Sequence, residues 1–137
     1  MEIVVQEESS GCGIASVAML AGVSYQQVKE KANALGIFAE DQKLWSQTGY
    51  VRRLLREYSI PASQKETPFA SWDTLPNLAL VSLKWHLEDS QPFWHWSVFC
   101  RTHSTAVVYD PAAYLENNLR TDFENMSPKW FIEIGKR

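Results

Sequence analysis

Residues 6–20 read QEESSGCGIASVAML, and the fold turns on how Cys12 sits within them. The stretch before it, EESSG, is polar and loop-like, and Gly11 permits backbone angles that other residues avoid. From Cys12 onward the pattern changes. Ile14, Val17, Ala18 and Ala21 recur at helical spacing, with Gly22 as a stop signal. This predicts a helix over 12–21 whose first residue is Cys12. At a helix N-terminus the free N–H groups and the macrodipole favour a thiolate. The competing reading is a small buried hydrophobe, the usual fate of a free cysteine.

The 137-residue length suits a single domain over 1–137. A chain of this size buries roughly 68% of its unfolded surface, enough for a core without disulfides or metal. The net charge is −3 with both signs interspersed. That gives no clustered basic face for nucleic acid and no polybasic membrane patch. Two cysteines build no disulfide framework and cannot by themselves close a structural zinc site. No cofactor is implied. The acidic start (Glu2, Glu7, Glu8) lacks the basic flank of a signal peptide, and no apolar run is long enough for membrane insertion. The expectation is a protein that is cytoplasmic as synthesised, with export by a dedicated secretion system as the alternative.

The first half reads helical. Ser24 and Gln27 have capping-box spacing before a second helix, 25–35, that Gly36 terminates. A third helix spans about 48–58, with Val51, Leu54, Leu55 and Tyr58 as its apolar stripe. The second half reads β: strands over 77–85, 94–101, 105–109 and 129–134, rich in β-branched and aromatic residues. The segment 61–76 reads as an irregular connection, and HLEDSQP (86–92) as a loop. Helices first and strands after predict an α+β domain with an antiparallel sheet.

A thiol nucleophile needs a base and a group to orient that base. His103 falls in a polar turn and His86 at the start of an acidic loop. His95 begins a strand, where it can face a helix N-terminus. With Thr102–His103 as the turn, His95 falls directly opposite Asp110, on one face of the sheet. A carboxylate there would hold the imidazole's tautomer and stabilise its cation. An odd-length loop would put the two on opposite faces. As a bland alternative, Asp110-Pro111 is simply a turn initiator. Attack on a carbonyl also needs donors for the oxyanion; the Cys12 N–H is one candidate and the Gln6 amide another. Gly11, Gly13 and Trp94 are candidates for contact with substrate. Trp96 alternates away from His95 and reads as core, as does Cys100.

Gln6, Cys12, His95 and Asp110, in this order, resemble the papain-like superfamily of cysteine peptidases, which runs Gln, Cys, His, then Asp or Asn. The chain is most similar to the bacteriocin-processing peptidases that remove double-glycine leader peptides. The similarity lies in QEESSGCGIASVAML, in HWSVF (95–99) and in YDPA (109–112). It implies a papain-like fold with a helical half packed on an antiparallel sheet. It implies Cys12 as nucleophile, His95 as base, Asp110 as its orienter and Gln6 as oxyanion donor, acting on a peptide or protein substrate after a small-residue pair. Gly11 departs from the aspartate that the family often has there, and no transporter follows, so the resemblance implies a stand-alone domain. Two alternatives stand beside it: deamidation or acyl transfer through the same thioester chemistry, as in a bacterial effector or toxin, and peptide binding without catalysis, although binding modules of that kind lack the cysteine that this chain keeps.

Overall fold

The computed structural model describes residues 1–135. Among the described residues three α-helices, α1 (Cys12–Ala21), α2 (Tyr25–Ala34) and α3 (Gly49–Glu57), precede the whole sheet. Its strands are β1 (Thr67–Pro68), β2 (Leu78–Glu88), β3 (Gln91–Thr102), β4 (Thr105–Tyr109), β5 (Leu119–Arg120) and β6 (Trp130–Glu133). They form one antiparallel sheet in the order β1-β6-β2-β3-β4-β5. The architecture is α+β. Among the described residues, no helix is long and apolar enough to cross a membrane.

The start and stop signals act as expected. Ser24 and Gln27 form a reciprocal capping box at the start of α2. Gly22 and Gly36 take the left-handed conformation, at φ 71° and 83°, that ends a helix cheaply only at glycine. Nine of the ten residues of α1 are buried, because it runs between the sheet and the other two helices. One core joins α1, α2 and α3 to Leu80, Trp94, Trp96, Val98 and Ile132. A second core covers the opposite face of the sheet with Ala79, Val81, Leu83, Phe99, Val108 and Phe131. The alternation along β3 is therefore real: even positions from Trp94 to Val98 meet the helices, and Phe99 meets the other layer.

Two expectations are corrected. The segment 86–92 is not a loop: β2 continues to Glu88 and β3 begins at Gln91, joined by Asp89 and Ser90. Both turn residues have positive φ, 51° and 68°, the backbone that a two-residue hairpin requires to match strand twist. The second correction concerns the β3–β4 register. The turn is His103–Ser104, Thr102 pairs with Thr105, and the last rung is Val98 with Tyr109. This is a shift of two residues from the expected pairing. Side chains alternate with period two, so the shift leaves His95 and Asp110 on the same face. They are diagonal neighbours rather than direct partners, with Asp110 just past the end of β4.

Candidate active site

Because β4 ends at Tyr109, β3 runs on toward the start of α1 paired only with β2. There the Trp96 N–H donates to Cys12 Sγ at 3.4 Å. Cys12 opens α1 and is 2% exposed. Gly11 precedes it as N-cap with no side-chain cap, so the free N–H groups of the first turn are left for another acceptor.

His95 lies beside the thiol. Its Nε2–H donates to Asp110 Oδ1 at 2.6 Å, which leaves Nδ1 as the nitrogen for Cys12. Burial alone would push the imidazole down. The bond to Asp110, the hydrogen-bonding contact with Cys12 and the negative charge of both outweigh it and raise His95 to about 10. Asp110 is fully buried. Burial pushes its carboxyl up, but the bond and charge of His95, the Ala112 N–H and Arg120 prevail and hold it at about 2. The Ala112 N–H reaches Oδ1 at 3.0 Å and Arg120 Nη1 reaches Oδ2 at 2.9 Å. Both carboxylate oxygens thus carry donors, as a buried charge demands.

Gln6 is tied to the same loop through its N–H to the Pro111 carbonyl, 2.9 Å. Its side chain does something the sequence did not suggest. Nε2 donates to the carbonyls of Glu8 and Ser9, each at 3.0 Å, and so shapes the loop that delivers Cys12. Both amide hydrogens are spent there, so donation to an oxyanion requires one of these bonds to be exchanged.

Gly11 and Gly13 are both buried at close-packed positions. A Cβ at Gly11 would overlap the Tyr25 hydroxyl, and one at Gly13 would overlap the Tyr50 hydroxyl and lie 2.7 Å from Tyr50 Cζ. Only glycine lets these tyrosines close against the start of α1. Trp94 does border the cleft, although it is 8% exposed and stacks edge-on against Trp96 and Trp130.

Several residues escaped the sequence reading. Arg120 grips Asp110 with one nitrogen and Asp122 with two, at 2.9 and 2.7 Å. Asn118 Nδ2 donates to the Asp110 and Ala112 carbonyls at 2.8 and 2.9 Å, which holds the loop carrying the carboxylate. Glu8 accepts from the Tyr25 hydroxyl at 2.5 Å and from Lys29 at 2.8 Å, pinning the loop before Cys12 to α2. Tyr50 is buried near Cys12, and burial first, then that sulfur, holds its hydroxyl well above the ordinary value. Apart from Arg120 with Asp122, none of these pairs has a local spacing that would announce it.

The cleft has two lobes that share Ser9, Lys84 and His95. One, of about 350 Å³, borders Cys12. The other, of about 430 Å³, borders Gln6 and the Ala112–Tyr114 loop. No family model matches the sequence, and no curated protein matches it.

Proposed function

We propose that this chain is a papain-like cysteine peptidase. The observation that carries the reading is one unbroken arrangement: a thiol at the first residue of a helix, in contact with an imidazole whose far nitrogen bonds a buried carboxylate at 2.6 Å. The helical layer, the antiparallel sheet and the chain order of the residues suit the papain-like resemblance.

In this mechanism His95 Nδ1 takes the Cys12 proton. Asp110 keeps Nε2 protonated and stabilises the imidazolium. The thiolate attacks the substrate carbonyl and an Sγ–C bond forms. The Cys12 N–H donates to the oxyanion, joined by Gln6 once its amide releases a loop carbonyl. The C–N bond then breaks as the imidazolium gives its proton to the leaving amine. Water, deprotonated by His95, attacks the thioester, and the acid product leaves with Cys12 restored.

Iodoacetamide labelling with peptide mapping tests the assignment. Cys12 should label, and Cys12→Ala should lose both the label and all turnover of a peptide library. If Cys100, which is half-exposed, takes the label while Cys12 does not, the assignment fails. Mass spectrometry of treated substrate separates a cut backbone from a +1 Da side-chain deamidation.

A further inference from the structure

The two lobes differ in which reacting group they touch. Both border His95, but only the smaller borders Cys12. In acyl transfer the acyl portion ends up bonded to sulfur, while the leaving amine takes its proton from the imidazole. The lobe that holds Cys12 is therefore the acyl side, and the lobe that holds His95 without Cys12 is the leaving side. This assignment rests on Cys12 being the nucleophile.

The acyl lobe is walled by Trp45, Phe93 and Trp94. Trp45 and Phe93 are half-buried, and neither belongs to either hydrophobic core. They are large aromatic side chains whose contacts are made at the cleft. Trp45 meets Phe93 edge-on, with centroids 6.0 Å apart at 82°. His86 stacks on Phe93 at 6.0 Å and 30°. The wall is braced: Gln91 Nε2 donates to Ser46 Oγ at 2.8 Å, joining the short 3-10 turn Gln42–Ser46 to the start of β3. A pair of glycines would leave this lobe's apolar walls without partner atoms, whereas an apolar ring would meet them across its edges and faces.

We propose that the lobe beside Cys12 selects substrates with an aromatic or large aliphatic side chain on the acyl side of the scissile bond, rather than the glycine pair that the family resemblance implies. Phe93 and Trp45 are the specificity-determining residues. His86 and Glu88 border the same lobe and form an ion pair at 3.3 Å when the histidine is protonated, while Lys84, which also borders it, turns its ammonium to the Tyr114 hydroxyl.

The test uses N-acetyl dipeptide aldehydes, which occupy only the acyl side, as competitors of iodoacetamide alkylation of Cys12 followed by mass spectrometry. An aldehyde with Phe or Leu at either of its two positions should protect Cys12 at a concentration at least about 50-fold below that required of the Gly-Gly aldehyde, the scale of discrimination that apolar pockets reach. Phe93→Ala and the milder Phe93→Leu should cut the preference in that order, the first to below about 5-fold. Equal or better protection by Gly-Gly overturns the proposal. So does a preference that survives both variants, or protection by none of the aldehydes while Cys12 still alkylates. If Cys12 does not alkylate in the native protein, the peptidase reading itself fails, and the two failures are distinguished in one experiment.

Discussion

Arg120 offers a direct test of how the buried Asp110 is held, and Arg120→Leu is the informative change. Leucine keeps much of the apolar bulk of the stem and removes all three bonds of the guanidinium. Asp110 Oδ2 then loses the Nη1 donor at 2.9 Å, while Oδ1 keeps His95 and the Ala112 N–H. A hydrogen bond to a charged group contributes about 1.5–3 kcal/mol, and stripping the partner from a buried ion pair costs about 3–5 kcal/mol. Asp110 retains a cationic neighbour in His95, so the lower range applies, and the variant should lose about 2–3 kcal/mol of stability. For a domain of this length each kcal/mol moves Tm by about 3 °C, so the drop should be about 6–9 °C at pH 7, read by circular dichroism. The acid limb gives a second signature. Asp110 is depressed from 3.8 to about 2; it contributes stability above pH 3.8 that is lost as pH falls through about 2. Without Arg120 its pKa rises, so the loss should begin at higher pH. Asp122→Asn serves as the control, since it touches only the exposed end of the fork, and should move Tm by less than about 2 °C. A Tm for Arg120→Leu within about 2 °C of the parent would refute the clamp. Equal losses in the two variants would show that Arg120 is anchored outward to Asp122 rather than inward to Asp110.

The other predictions follow from the same structure. Gly13→Ala should destabilise by about 1–3 kcal/mol through overpacking against Tyr50, although helix propensity alone would favour alanine by about 1 kcal/mol; urea denaturation gives the sign. His95 is raised from 6.5 to about 10, so its contribution is complete below pH 6.5 and is lost as pH rises through about 10; the urea midpoint should fall over that window, and His95→Gln should flatten the fall. Ser24→Ala removes a capping box and should cost about 1 kcal/mol without changing the rate of Cys12 alkylation.

What could be read beforehand divides along a physical line. Ser24 with Gln27, and the glycines at 22 and 36, act on backbone groups within a few residues, so their effect is written locally. The pairing of His95 with Asp110 survived a register error of two because face depends only on parity. β1 and β5, two residues each, carry no pattern of their own and exist only because β6 and β4 offer them unpaired edges. Arg120 inherits its place from that edge: Val108 pairs with Arg120, and the Asp110 N–H reaches the Asn118 carbonyl at 2.9 Å. No sequence spacing encodes that juxtaposition.

The same division makes candidate reactive groups more legible than a pocket. A nucleophile, a base and an acid are announced by residue type, because few side chains can fill those roles. A pocket wall can be any bulky side chain, and only tertiary placement distinguishes Phe93 in the cleft from Phe99 in the core. The misread stretch HLEDSQP shows how this happens. Its Asp, Ser and Pro have the composition of a loop, yet Asp89 and Ser90 supply the two left-handed residues of a tight hairpin. That hairpin carries β2 and β3 past the end of the core and sets His86 opposite Phe93. With Trp45 packed edge-on against Phe93, the hairpin becomes one wall of the lobe beside Cys12. Shortening it by deleting His86–Phe93 would therefore remove that wall while leaving Cys12, His95 and Asp110 in the chain, which is how a fold can keep one chemistry and change what it acts on.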